Sequence, residues 1–567
     1  MLYIIGTFTD ALAATIDPDV HVIRTSGRST ENDGGAATYQ RTTATLESNQ
    51  QNYSWFEAAD GSVWQLASGQ PYYAAQFGAL GGDQIDSRPI IQAALDAPMV
   101  GVLNLGPLVH WFSGNIRKPS GKGLVGAGRA ISGFRSFQIT VQQASPRFGI
   151  YCDGDRNGWF ADFFINIDRA GLNFGATPAA QLLNRCSGLV IRGDSRSVRV
   201  NRVDVYNATG YAHYTAAGDA ANSGPTPKDI MRRDCQAYNS QVCFEATSLG
   251  TEEETVDCAA WGAPQDGGVT IPMEVAYHAY GGIARVIRRR CSFYGNATGD
   301  LTVITDGVDN GEVGFEDCDF ETTGTQAGLS VANPDPNGSS VPANAGKITR
   351  NYWVRGGRIA GGTFGLLANN AKVRVDGTTF TSRSTGLQIT ANAAVDLYSP
   401  IIKVTGSTTI AVFGVNVEGT GTASWHGAGE LTVTNAGTGA VVTFAPSVKF
   451  TNTPVITPPS SQLGTALPNY RQRKTGQITQ TAWSSYNPTA TNKKFYVNIP
   501  LATSVASRAL TMVNLLLQQP DGSLVWPPQD LTITFNWQSN GLIQVQISTA
   551  DALTNYSLRY EIVEYLG

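Results

Sequence analysis

The stretch MRRDCQAYN at 231–239 decides how this chain folds, because it keeps returning. Its counterparts are RVNRVDVYN (199–207), ETVDCAAWG (254–262), IRRRCSFYG (287–295), GFEDCDFET (314–322), WVRGGRIAG (353–361) and RVDGTTFTS (374–382). Aligned on one slot, Val203, Cys235, Cys258, Cys291, Cys318, Gly357 and Thr378 follow each other in steps of 32, 23, 33, 27, 39 and 21 residues. Two positions later stand Val205, Ala237, Ala260, Phe293, Phe320, Ile359 and Phe380, all small or apolar. A small residue, a variable one and an apolar one is the period-2 mark of a half-buried strand. Strands of one type recurring every 20 to 40 residues mark a repeat architecture in which each unit stacks on the last. The slot keeps its character while the spacing varies, so the extra residues belong in loops between rungs. The pattern predicts an all-β chain whose centre is a parallel β-helix.

Composition agrees. Only 15% of the 567 residues are charged, with 62 glycines and 26 prolines, which suits a turn-rich β protein rather than a disordered one. A net charge of −5 leaves no basic footprint for nucleic acid. No run of 18 apolar residues exists to span a membrane, and MLYIIGTFTDALAATI lacks the basic start of a signal peptide. Of the seven cysteines (152, 186, 235, 243, 258, 291 and 318), four share the repeated slot. Free thiols stack well as small buried hydrophobes. Rungs roughly 4.8 Å apart would permit disulfides, but a reduced ladder is the expectation. No CxxC pair or Cys/His cluster points to zinc, and no cofactor is expected.

Residues 1–75 read as a small separate module, in which ADGSVWQLASG (59–69) has the Asp-Gly pair and alternation of a hairpin. The β-helix is expected over 76–450, with a short helix near 87–97 capped by Ser87, Pro89 in its first turn, and an apolar stripe of Ile90, Ile91, Ala94 and Leu95. GWFADFFINI (158–167) reads as core or rung, and the triple glutamate at 252–254 as a solvated turn. TNTPVITPPSSQLGTALPN (451–469) reads as a linker, and 470–567 as a compact antiparallel domain, a β-sandwich.

The stretch from 77 to 128 resembles the opening of the pectate-lyase-like β-helix family, phage tailspikes above all. The matching residues are Phe77-Gly78-Ala79, Gly82-Asp83, Asp86, Ile91-Gln92-Ala93-Ala94 and Leu124-Val125-Gly126-Ala127-Gly128. DQIDSRP departs from the family's acidic, Thr-containing run, and GPLVHW from its PxGxY. The resemblance implies a right-handed β-helix, with the helix closing one open end of the core. It also implies a homotrimer held by the C-terminal domain, an N-terminal module attached to phage tail or baseplate proteins, and a bacterial surface polysaccharide as partner.

If the cysteine slot points inward, its neighbours point outward. That sets Tyr206, Tyr238, Trp261 and Tyr294 in one external column ending in Glu321, with Arg202, Asp234, Asp257, Arg290 and Asp317 beside it. Aromatic faces flanked by carboxylates and guanidinium groups suit a polyhydroxylated polymer, although such rings also pack under loops or against another subunit. The slot two before the cysteine (Arg233, Arg289, Glu316, Arg355) breaks the alternation and is expected to be a bend. Glycosidic cleavage needs one carboxylic acid and one carboxylate. Asp317 and Asp319, i and i+2 on a strand and therefore roughly 6.5–7 Å apart, would match the wider separation of inverting enzymes. Glu321 and Asp257 complete the catalytic candidates. Tyr206, Asp234, Tyr238, Trp261, Arg290, Tyr294, Arg358 and His278 are the candidate substrate contacts, the last with Glu274 and Tyr277 in an inter-rung insertion, 263–282; a second spans 330–350.

Three sugar-directed functions fit, beside a structural trimer with no sugar site, which would retain no polymer. One is a virion-borne depolymerase cutting O-antigen or capsule by hydrolysis. The second is a lyase, which would use Arg290, Tyr294 and His278 on a uronate-containing polymer. The third is an adhesin that holds the sugar without cutting it.

Overall fold

A computed structural model describes residues 2–433 apart from 83–84, 137–146, 168–185, 219–223, 249, 263–274, 281–282, 296–310, 323–326, 333–350, 370, 391–392, 407–411 and 427–428; beyond 433 it describes strand backbones. The centre is a parallel β-helix. Each rung contributes a strand to a first sheet and, past a sharp corner, a strand to a second. Representative first-sheet strands are Ile230–Arg233, Glu252–Val256, Arg285–Arg289 and Glu312–Glu316, paired in parallel and in register. The second sheet stacks Gln236–Tyr238, Ala259–Trp261, Ser292–Gly295 and Asp319–Thr322. A third wall is formed by Cys186–Arg192, Tyr211–Ala216, Val242–Thr247 and Val275–Tyr280, and higher up by a separate sheet running from Ala327–Ala332 to Val442–Thr443.

The repeated slot faces the lumen as expected. Val203, Cys235, Cys258, Cys291, Cys318 and Thr378 are at most 3% exposed, and the residues two positions on at most 1%. Burying each large apolar side chain there contributes about 1.5–3 kcal/mol. All seven cysteines are free thiols, so the ladder is reduced.

The corner is not where the broken alternation suggested. It falls one residue before the cysteine slot, at Asp162, Arg202, Asp234, Asp257, Arg290, Asp317, Gly356, Gly377 and Ser399, all with φ between +49° and +64°. A left-handed residue inserted between two extended segments sets consecutive side chains outward, so Arg233 and Asp234 both leave the core while Arg232 and Cys235 enter it. Left-handed backbone is unfavourable for residues with a Cβ. A ladder of hydrogen bonds offsets that cost here. Asp234 N–H donates to the Val256 carbonyl (3.0 Å), Asp257 to Arg289 (3.0 Å), Arg290 to Glu316 (2.8 Å) and Asp317 to Arg355 (2.8 Å).

The capping helix is Arg88–Asp96, with Ile91, Ala94 and Leu95 buried and Ile90 partly so. Ser87 does not cap it with its side chain. Asp86 does instead, accepting the Arg88 N–H at 3.1 Å. The triple glutamate is no solvated turn. It lies in the strand Glu252–Val256, where alternation sends Glu253 into the lumen (2% exposed) and Glu254 outward to Arg289 at 2.9 Å. GWFADFFINI forms the rung Trp159–Asn166, with Phe160, Phe163 and Ile165 inside.

At the N-terminus a five-stranded sheet spans Leu2–Leu66, and Trp55–Glu57 pairs antiparallel with Val63–Leu66 across the Asp60-Gly61 turn. Within 451–469, Val455–Thr457 pairs in parallel with Glu430–Val433, so rungs run on into the segment read as a linker; its other residues lie outside those described. Beyond it are two antiparallel groups, one built on Tyr470–Thr479, Ala509–Gln518 and Ser557–Leu566, the other on Ser484–Tyr486, Lys493–Pro500, Thr532–Gln538 and Leu542–Thr549.

Candidate functional site

The external column assembles on the second sheet as the register requires. Tyr206 pairs with Tyr238, Tyr238 with Trp261, Trp261 with Tyr294 and Tyr294 with Glu321. It also extends downward through Asn166 and Arg135 to Trp111. In-register stacking has a consequence that spacing alone did not show. The rings lie face to face, with centroids 4.9 Å apart and 4° between planes for Tyr206–Tyr238, 6.4 Å and 12° for Tyr238–Trp261, and 4.9 Å and 25° for Trp261–Tyr294. The ring faces are therefore spent on each other. What the column offers a ligand is ring edges and polar tips, since strand spacing near 4.8 Å leaves no room between rings for a sugar. Tyr238 donates its hydroxyl to Gln236, Tyr294 to Asp319 at 3.0 Å, and the Trp261 indole N–H bonds nothing.

At each end of the ladder sits a carboxylate–arginine centre. The lower one joins the candidate Asp234 to two residues that were not among the candidates, Asp204 and Arg129. Asp204 occupies the slot after Val203, faces outward on the second sheet, and is only 3% exposed. Burial, opposed by Arg129 and reinforced by Asp234, pushes its carboxyl up to about 7. Arg129 donates to the Asp234 carboxylate at 3.0 Å and carbonyl at 3.1 Å, and approaches Asp204 Oδ1 at 3.6 Å. That Oδ1 accepts no hydrogen bond. Arg129 reaches this rung because LVGAGR crosses it closely. A Cβ on Gly126 would lie 2.2 Å from the Asp162 carbonyl, and Gly128 has φ +138°. The signals were present in sequence: Asp204 shares its column with Asp319, and Arg129 directly follows the Gly126–Gly128 motif.

The upper centre contains Asp319 and Glu321, which Arg358 bridges at 2.9 and 2.6 Å while Tyr294 donates to Asp319. Asp317 does not join them on one strand. The left-handed corner lies at Asp317 itself, so the i, i+2 spacing of a straight strand does not hold, and its carboxylate lies over Gly356 of the next rung. Asp257 is likewise a corner residue, held by Arg290 in a two-pronged pair at 2.7 and 3.1 Å. Asp204 and Asp319 are four rungs apart on one column, roughly 19 Å.

His278 is not in a loop beside this groove. It lies in the strand Val275–Tyr280 of the third wall, where it meets Glu245 at 2.6 Å, while Tyr277 points into the lumen. Arg290, Tyr294 and His278 are therefore not brought together. Glu274 and most of the two insertions lie outside the described residues. Among the described residues no group of three His, Cys, Asp or Glu could hold a metal ion, and no helix is long and apolar enough to cross a membrane.

No family model matches this sequence, and no curated protein does. Solved structures of similar shape include the gp42 tailspike of Acinetobacter phage vb_AbaP_AS12, 13% identical with a TM-score of 0.48 over 88% of this chain and 89% of that one. The tailspike of E. coli bacteriophage HK620, solved with a pentasaccharide, is 12% identical, TM-score 0.47, over 91% and 98%. The A-module of the Azotobacter vinelandii mannuronan C-5 epimerase AlgE6 is 17% identical, TM-score 0.45, over 68% and 100%. Likeness at this level concerns the fold alone.

Proposed function

We propose that the protein is a phage tailspike that binds a bacterial surface polysaccharide, O-antigen or capsule, along the outer face of the second sheet and cuts it by glycoside hydrolysis. The observation that carries this reading is the lower centre. A buried carboxyl that is protonated near neutral pH stands one rung from Asp234, a half-exposed carboxylate held by Arg129. Acid–base cleavage of a glycosidic bond requires one carboxyl kept protonated beside a second carboxylate. Asp204 would give its proton to the leaving oxygen through Oδ1, the atom left unbonded, once Arg129 turns onto the polymer. Asp234 would activate the water. Asp319, Glu321 and Arg358, about a third to a half exposed, would hold hydroxyls of the same chain four rungs away. The tyrosine hydroxyls and the Trp261 N–H would line the path between. The resemblance of residues 77–128 to tailspikes supports a homotrimer carried on the virion, held by the C-terminal strands and docked to tail proteins through the N-terminal sheet.

The test is to incubate the protein with purified surface polysaccharides from a panel of bacteria, following chain length, reducing ends and unsaturated-uronate absorbance. Hydrolysis shortens the polymer and creates reducing ends without absorbance. Shortening with absorbance makes the protein a lyase. Retention of polymer without shortening makes it an adhesin.

A further inference from the structure

We propose that the lumen of the β-helix, between Arg232 and Arg288, binds one small inorganic anion of the chloride class. The register sets Arg232, Thr255 and Arg288 in one inward column on three successive rungs. Both arginines are fully buried. Arg232 spends one N–H on Glu253, and its Nε and Nη2 bond nothing; Arg288 reaches the His278 carbonyl at 3.4 Å, and its Nε and Nη1 bond nothing. Glu253 also accepts from Thr215 and Thr255. Two guanidinium groups thus face one carboxylate.

Among the described residues no carboxylate but Glu253 bonds either guanidinium. His213 is held neutral, its pKa lowered to about 3 by burial and by Arg232. Cys291 lies 3.4 and 3.5 Å from the Arg289 and Thr255 carbonyls and Cys318 3.4 Å from that of Arg288. Burial pushes the Cys291 thiol up, but hydrogen bonds from its neighbours and the charge of Arg288 bring it below its ordinary value, a partial offset of one charge. A guanidinium does not give up its proton in a protein, so neither arginine sheds its own charge. Rings above and below Arg288, Tyr277 at 5.3 Å and Phe315 at 5.9 Å, soften the cost without cancelling it. A buried water would satisfy donors but carries no charge. A small anion does both. The wall that meets Glu253 is built of Thr215, Ala246 and Ala279, all small residues.

Long-wavelength anomalous diffraction from crystals of the full chain prepared in chloride tests this. The expected result is a peak within hydrogen-bond reach of both guanidinium groups and distinct from the sulfur positions of Cys258 and Cys291. Density there without anomalous signal, meaning water alone, overturns the proposal. Arg288→Met leaves the Arg232–Glu253 pair balanced and should lose the peak while the fold persists; a peak that survives in that variant overturns it equally. In solution the wild-type unfolding midpoint should rise with chloride concentration at fixed ionic strength, and the Met variant's should not. A wild-type midpoint indifferent to chloride counts against the site.

Discussion

Asp204 concentrates the chemistry at the residue scale. Its carboxyl is buried and raised to about 7, above the value of about 3.9 expected in the unfolded chain. The native state therefore binds more protons than the unfolded one between those values, and the residue's contribution to stability falls as pH rises from about 4 to 7. Asp204→Asn should gain on the order of 4 kcal/mol in unfolding free energy above pH 7 relative to wild type, read from denaturant titrations at two pH values. The same variant should lose at least about a hundredfold in cleavage rate, the range of one general acid, while retaining polymer in a binding assay. Wild-type cleavage should decline as pH passes about 7. Asp319→Asn keeps the lower centre intact and should weaken binding more than turnover. If Asp319→Asn abolishes cleavage and Asp204→Asn does not, the catalytic centre is the upper one.

At the scale of the element, the corner between the first two sheets is a column of left-handed residues, and two glycines separate its two costs. Gly377 has φ +64° and open space where a Cβ would go. Gly377→Ala should therefore cost only the backbone term, about 1–2 kcal/mol. Gly357, in the inward slot just past the corner residue Gly356, also has φ +69°, with the Cys318 carbonyl oxygen 2.2 Å from the added carbon. Gly357→Ala should cost markedly more, because the clash is with backbone. Equal losses in the two unfolding free energies would mean the corner adapts by shifting the rung. Beyond the second sheet, Asn207 and Asn239 form a side-chain ladder with Asn166, at 2.8 and 2.7 Å. Asn207→Ala breaks two buried amide bonds at φ +59° and should cost about 2–4 kcal/mol.

For the whole molecule, stability comes from rung stacked on rung rather than from crosslinks. All seven cysteines are free and buried, so strong reductant should leave the melting temperature unchanged; a fall would reveal a disulfide. Light scattering on the intact chain and on one ending before residue 470 checks the proposed assembly. A trimer that becomes a monomer on truncation places the contact in the C-terminal strands.

The sequence by itself determined the inward column, its register and the external column of Tyr206, Tyr238, Trp261 and Tyr294, because these follow from period-2 alternation and parallel pairing, which are local rules. That the rings lie face to face and the thiols stay free was decided by the folded rungs. The corner and the centres were decided by tertiary structure. A positive φ at Asp234 or Arg290 is not written in residue type, since arginine has no preference for it, and only the ladder of interrung hydrogen bonds holds it there. The same corner turned Asp317 away from Asp319 and sent Arg232, Arg288 and Glu253 inward. The proposed acid–base pair was hidden for a related reason. Arg129 and Asp234 are 105 residues apart, and Asp204 is raised only because the chain between folds over it. Burial and charge proximity belong to the folded solenoid, not to any window of sequence.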